Sequence, residues 1–320
     1  MVTVAPQSNR PTRRGPGRAG LRGGMSRFRR ADRRRQLTFA LPAAAFLAMF
    51  SLFPLIQLLR MSVSDVSVST LNDSWDFTGT DNLNANLAGD AFGDATVNTV
   101  IFVSIVTVLG LAIGLTAAIL LAKSGRWTGF ILGTLVFVWA LPPVVNGSVW
   151  KFLLGSSGLF NSIALETGLR DQVIPFLFDD SIALYSVALV NAWAVVPFNA
   201  LVFRAAIMGI SSEVFEAARI DGASRWQEIR YIVVPMVKPT TLVLTVLTVV
   251  YGFRSFDFIY VMTFGGPGTA TTTLPFLGYI QAFVRFNFGL GASTAVVAVL
   301  MVIVLAVLYA RSVRREEAHS

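Results

Sequence analysis

The sequence predicts an all-α membrane protein with six transmembrane helices, on three observations. The 320 residues are 54% hydrophobic and only 14% charged, too apolar for a soluble domain of this length. Apolar segments long enough to cross a bilayer recur at about 37–59, 97–122, 130–152, 182–208, 236–262 and 290–310. Basic residues fall on one side of that arrangement. With the N-terminus inside, the cytoplasmic segments hold Arg10 to Arg35, Lys123, Arg126, Arg219, Arg225, Arg230, Lys238, Arg311, Arg314 and Arg315. The outer segments hold chiefly Arg60, Arg170 and Arg285, while Asp65, Asp73, Asp76, Asp81, Asp90 and Asp94 crowd the first outer loop. The positive-inside rule therefore predicts N-in, C-in.

Composition also excludes chemistry. There is no Cys, and the only His is His319 at the C-terminus. Thiolate metal sites, disulfides and a buried imidazole base are ruled out. No G-x-x-x-x-G-K-[ST] phosphate loop occurs, so if ATP drives this protein another chain hydrolyses it. No catalytic constellation appears, and the chain is expected to perform no covalent chemistry.

Taken in order, residues 1–36 hold eleven Arg and one acid, Asp32, with Pro6, Pro11 and Pro16. Such a segment cannot build a core and is predicted to be a disordered cytoplasmic arm near anionic lipid. A nucleic-acid arm is the alternative from composition, and a cleaved signal peptide is the other. Against the signal peptide, the apolar stretch runs on to Leu59, longer than such h-regions usually are. The first outer loop, 61–96, is rich in Ser, Thr, Asp and Asn. Span three carries Asn146 and Trp150, which a helix–helix contact through Asn146-Gly147-Ser148 would also explain. The second outer loop, 153–181, has room for a short interfacial helix near Leu159–Leu165.

In span four, Pro197 removes a hydrogen bond and clashes with the carbonyl of Trp193, so a kink is expected. Asn191, Ala194, Val195 and Phe198 share one helical face. Asn191 either faces a ligand or hydrogen-bonds a neighbouring helix, which is common in membrane bundles. Between spans four and five lies a polar island of about 30 residues. Glu213 and Glu216 are placed in the first turn of a short helix, where negative charge suits the dipole. Val214, Phe215, Ala217, Ala218 and Ile220 supply an apolar side. Asp221-Gly222 signals a turn. Ser224 and Gln227 then have capping-box spacing, and Pro235 and Pro239 mark the return to the membrane. The expected product is a helix-turn-helix knob.

Span five carries Arg254, Asp257 and Tyr260 at intervals of three. A charge near the bilayer centre costs about 2.5–3.5 kcal/mol on insertion scales. The two charges should therefore pair with each other, line a polar path, or do both. Beyond them Gly265-Gly266-Pro267-Gly268 predicts a rigid turn. Residues 316–320 form a C-terminal tail.

The stretch EAARIDGASRWQEIRYIVVPMVKP resembles the EAA signature of permease subunits in bacterial ABC importers. The run FDFIYVMTFGGPGTATTTLPFLGYIQAF, with Phe77, Gly79, Asn82 and Asn98-Thr99, resembles the maltose-type branch of carbohydrate permeases. The resemblance covers about residues 37–315; Ile229 and Val234 depart from the family's usual Phe and Leu but stay apolar. It implies a type I ABC importer permease fold in a bacterial cytoplasmic membrane, with 37–315 as the permease domain and coupling helices at about 212–231.

The same resemblance implies that Glu216, Ala217, Ala218, Asp221, Gly222 and Ala223 dock an ATPase subunit. It also implies that Asn191, Ala194, Val195 and Phe198, with a second group at Arg254, Asp257 and Tyr260 and a weaker one at Asn146, contact a sugar. Sugars present hydroxyls and an apolar C–H face, which suits amides beside rings. The expected partners are a second permease subunit of different sequence, two ATPase subunits that bind ATP and Mg, an extracellular sugar-binding lipoprotein and membrane lipid, with no nucleic acid. The function implied is translocation of an oligo- or disaccharide. The alternatives are a permease for glycerol phosphate or a polyamine, or a secondary transporter, which would leave the Glu216 knob unexplained.

Overall fold

The computed structural model describes residues 39, 41–123 and 125–317. The basic arm over 1–36 lies outside them, as do the last three residues of the tail. Contacts divide the chain into Met1–Gln57 and Leu58–Ser320. Helix α1, Leu41–Ser62, is an apolar helix of 22 residues with a π-helical turn at Ala48–Leu52. At 1.5 Å per residue it is about 33 Å long, enough to cross a bilayer.

After α1 the predicted polar loop contains more order than its composition suggested. A two-stranded antiparallel pair, β1 (Ser64–Asp65) and β2 (Asp76–Phe77), is followed by α2 (Asp81–Ala88) and the first turns of α3 (Asp90–Leu121). Asp81 and Asp90 each sit in a first turn, where the helix dipole favours an acid. Asn82 Nδ2 donates to the carbonyls of Ser62 and Ser64.

The predicted third span is not one helix. It consists of α4 (Thr128–Ala140) and α5 (Pro143–Leu154), and the run Pro143–Glu166 is bent from α4 by 102°. Leu141 and Pro142 are extended, at ψ 132° and 136°. A residue before proline is pushed out of the helical region, and Leu141 precedes one proline and Pro142 another. Pro143 then opens α5 without needing a donor. Among the described residues, five apolar stretches reach spanning length, with Lys238–Met262 taken as one, and this bent pair is the sixth candidate. The short helix α6, Leu159–Glu166, lies where an interfacial helix was expected.

Helix α7, Ala183–Met208, continues through Pro197 as one element. It packs against α3 with very little between the backbones. A Cβ at Gly110 would lie 2.6 Å from Val195 Cγ1, and one at Gly114 would lie 2.7 Å from Asn199 Cβ and 3.2 Å from the Ala200 nitrogen. The pair is a small-xxx-small seam, the usual way for membrane helices to approach closely.

After α7 come the knob helices α8 (Ser212–Ile220) and α9 (Arg225–Gln227), π-helical turns over Glu228–Val233, and a last turn α10 (Val234–Met236). The predicted fifth span is divided into α11 (Lys238–Arg254) and α12 (Asp257–Met262). α13, Leu274–Tyr279, extended by a π-helical turn to Val284, was not predicted; α14, Phe288–Glu317, is the last span. One apolar cluster joins Phe102, Val106, Val187, Val195, Phe253 and Ile259. A second, toward the knob, joins Ala118, Phe203, Ile207, Val233, Val237 and Leu244. Arg204 Nε caps the end of α3 by donating to Leu121 O at 2.9 Å.

Candidate functional site

Helices α7 and α11 enclose, with the end of α4 and the start of α5 and α12, a cavity of about 470 Å³. Six residues singled out in the sequence line it: Asn146, Ala194, Val195, Phe198, Arg254 and Asp257. Ala194 to Phe198 lie at the middle of α7, roughly 15–22 Å from either end, so the cavity sits at mid-span depth. Its wall also holds Trp139, Leu247, Thr248, Tyr251, Ser255 and Phe258. Trp139 stacks on Phe198 with ring centres 5.9 Å apart and planes at 23°.

Arg254 and Asp257 do not share a helical face, because the helix opens between them. Ser255 has ψ 71°, and its N–H turns to the Gly252 carbonyl at 3.2 Å. Among the described residues, neither side chain has an ion-pair or hydrogen-bond partner. The expected pairing through an i,i+3 helix turn is therefore absent, and both groups are left at the cavity wall. The buried Asn146 side chain likewise has no hydrogen-bond partner among the described residues.

Asn191 and Tyr260 are placed elsewhere. Asn191 is fully buried one turn below Ala194, and its Nδ2 donates to Ser255 Oγ at 2.8 Å. Ser255 Oγ donates in turn to the Tyr251 carbonyl at 3.1 Å. Asn191 thus braces the α11–α12 break from behind the wall, and its Oδ1 has no partner among the described residues. Two turns further along α7, buried Asn199 accepts from Thr248 Oγ1 at 3.2 Å. Tyr260 packs with Phe256, Phe264 and Tyr279. Trp150 packs on Phe160 and Trp193.

The sequence reading missed Trp139, Tyr251 and Ser255. Tyr251 was findable, since it precedes Arg254 by three residues on the same helix. Trp139 was not, because its stacking on Phe198 comes from the packing of α4 on α7, which no local signal marks.

The knob is built from local signals. Ser211 Oγ accepts from the Glu213 N–H at 3.3 Å, and Glu213 is the acid in the first turn. Glu216 stands in the second turn, not the first as predicted, because α8 begins at Ser212. Phe215 and Ala218 turn inward and are half-buried; Glu216 and Ala217 are exposed, and Ile220 is 86% exposed. The apolar side is thus narrower than predicted, and Ala217 and Ile220 face solvent. Gly222 has φ +80°, a conformation costing other residues about 1–2 kcal/mol. Ala223 N donates to Ala218 O at 2.8 Å. Ser224 and Gln227 form the predicted capping box, each side chain accepting from the other's backbone N–H. Arg219 Nε donates to Glu228 Oε1 at 2.8 Å, joining the two halves.

At the opposite end, two stretches quoted separately from the sequence meet. Asn98 Nδ2 donates to the carbonyls of Thr269 and Thr272, and Leu274 N donates to Thr99 Oγ1 at 2.8 Å. The intervening Gly265 and Gly268 have φ +86° and +54°, so the expected rigid turn is tied down on α3. Nearby, the hydroxyl and N–H of Ser181 both donate to Asp179. They hold its carboxyl below the usual carboxylate range, with the hydroxyl the larger cause.

A bundle of membrane helices with a mid-span cavity and an exposed knob at its basic end has the architecture that a permease needs to pass a solute without transforming it. The chain belongs to the binding-protein-dependent transport system inner membrane components, a family that matches residues 110–317. It is a multi-pass transport subunit of the cytoplasmic membrane. Over 281 residues it is 30% identical to the diacetylchitobiose uptake system permease protein DasB of Streptomyces coelicolor, covering 87% of this chain and 86% of that one. It is 29% identical to the trehalose/maltose transport system permease protein MalF of Thermococcus litoralis, over 73% of this chain and 78% of that one. It is 31% identical to the sn-glycerol-3-phosphate transport system permease protein UgpA of Agrobacterium fabrum, over 83% and 89%. A bacterial ABC transporter that imports the acidic polysaccharide alginate has the same fold, with a TM-score of 0.77 at 21% identity over 90% of this chain and 99% of that one.

Proposed function

We propose that this chain forms half of the translocation path of an ATP-driven importer for a neutral oligo- or disaccharide. The observation that carries this is the cavity at mid-span, where the side chains of Arg254, Asp257 and Asn146 have no ion-pair or hydrogen-bond partner among the described residues and stand beside Trp139, Phe198 and Tyr251. A charge kept in an apolar span without a partner persists because something else uses it. Rings take the C–H face of a sugar, and the amide, cation and carboxylate take its hydroxyls. The names of the DasB and MalF relatives support the same substrate class.

In this reading a sugar-binding protein delivers substrate at the end held by Asn98 and the 263–273 turn. A second permease subunit closes the path. The Glu216–Ala223 knob seats on an ATPase subunit, which holds ATP and Mg. ATP acts only through its preference for one of two arrangements of the bundle.

The UgpA relative favours a second reading, glycerol phosphate. Against it, the lining residues hold one cation, Arg254, and one acid, Asp257, so the cavity wall offers no net positive charge to a phosphate. Uptake by the assembled importer in vesicles, with diacetylchitobiose, trehalose, lactose and sn-glycerol-3-phosphate as competitors, decides between them. The sugars should compete and the phosphate should not; the reverse result overturns the carbohydrate reading.

A further inference from the structure

A second cavity, of about 530 Å³, lies under the knob and plays no part in the proposed sugar path. Its floor is apolar: Ile119, Leu120, Ile207 and Met208 form the last turns of α3 and α7, and Phe215 of α8 roofs it. Its rim, just past those helix ends, is charged, with Lys123, Arg219, Arg225 and Glu228. Arg219 is neutralised by Glu228 at 2.8 Å. Lys123 and Arg225 are exposed, and among the described residues neither has an ion-pair or hydrogen-bond partner.

Two features together select the occupant. The apolar floor lies at the membrane boundary, because Met208 ends α7 about 15–21 Å from the mid-span residues Ala194 to Phe198; Leu120 and Met208 are 75% and 58% exposed. The two uncompensated cations stand one step outward, at the end of the bundle that the positive-inside rule assigns to the cytoplasm. This order, apolar within and cationic at the surface, is the profile of an anionic phospholipid. Basic pockets between spanning helices on the cytoplasmic side are suited to such head groups.

We propose that this cavity binds one anionic phospholipid, its phosphate between Lys123 and Arg225 and an acyl chain along Leu120 and Met208. The lipid supports the inward face of α8, whose Phe215 otherwise roofs an open cavity. The outward face, with Glu216 and Ala217, is left free for the ATPase. Lipid composition would then set how stiffly the knob transmits motion into the bundle.

The test uses the complete importer, with its ATPase, in vesicles of phosphatidylcholine or of equal parts phosphatidylcholine and phosphatidylglycerol. Native mass spectrometry of the extracted complex counts retained phosphatidylglycerol. The wild type should retain it in preference to phosphatidylcholine. K123Q/R225Q should weaken retention about 30-fold, since each basic residue contributes about fivefold at an anionic surface, and K123R/R225K should restore it. L120W should weaken retention with both cations in place, and inorganic phosphate should not displace the lipid, which separates a lipid from a free anion. Equal retention by wild type and K123Q/R225Q overturns the proposal. So does loss of ATPase copurification in K123Q/R225Q with lipid retention unchanged, which would assign the cations to the ATPase contact. Sugar uptake by the wild type in the same vesicles tests the substrate reading separately.

Discussion

The knob and the mid-span cavity each hold an Arg and an acid, and the two pairs behave in opposite ways. Arg219 and Glu228 meet at 2.8 Å across the knob's turn, with side-chain exposures of 52% and 11%. Arg254 and Asp257 are closer in sequence yet have no partner among the described residues. A paired charge at the membrane surface shapes the chain, and it contributes little energy because water screens it. An unpaired charge at mid-span contributes nothing to shape and costs insertion energy. The contrast teaches which polar groups hold this fold together and which stand open to a ligand.

The comparison is broken most directly at the cavity. Asp257→Asn and Arg254→Gln should each lower uptake about 10- to 100-fold, the range expected for a lost hydrogen bond to a charged group. Membrane levels should stay normal, because no ion pair is lost. Immunoblotting of membranes beside uptake kinetics checks both. Collapsed levels in the single variants, restored in the double variant, would show that the two charges pair after all and would remove the contrast.

Next in size is Gly222→Leu, which forces a side chain to φ +80° at a cost of about 1–2 kcal/mol. ATPase copurification should fall several-fold, while Gly222→Asn, a residue that tolerates this conformation, should retain it. Full copurification with Leu would mean the turn is not part of the docking surface.

Glu228→Gln sharpens the comparison from the other side. The pair it breaks is partly exposed and should be worth about 0.5–1 kcal/mol. ATP hydrolysis per sugar transported should rise no more than about fivefold, and raised salt should mimic the change in the wild type. A loss as large as that of Asp257→Asn would make the knob pair as critical as the cavity pair.

The smallest effect is expected at Asp179. Its carboxyl is held below the ordinary range by Ser181, so any contribution it makes is present above the usual carboxylate pKa. It is lost only as the pH falls through the lowered value. Uptake by Asp179→Asn should therefore parallel the wild type across the neutral range and into mild acid. A step in the ratio of the two above the usual carboxylate range would contradict that assignment.

The sequence by itself determined what depends on composition and on neighbours a few residues apart. Six apolar segments, the basic end, the Ser224–Gln227 capping box, the Asp221-Gly222 turn and the short helix at Leu159 all rest on such local physics. Ala194, Val195 and Phe198 were legible as a face because α7 is regular there. Tertiary structure decided the rest. Whether Arg254 meets Asp257 depended on the break at Ser255, which Asn191 braces from 64 residues away. Whether Trp139 reaches Phe198 depended on how α4 packs on α7. The closeness of α3 and α7 depended on Gly110 and Gly114 facing Val195 and Asn199. Periodicity reports which residues share a helix face. It carries no information on where a helix is interrupted, because interruption is stabilised by contacts from other helices. The cavity lies where two such interruptions meet.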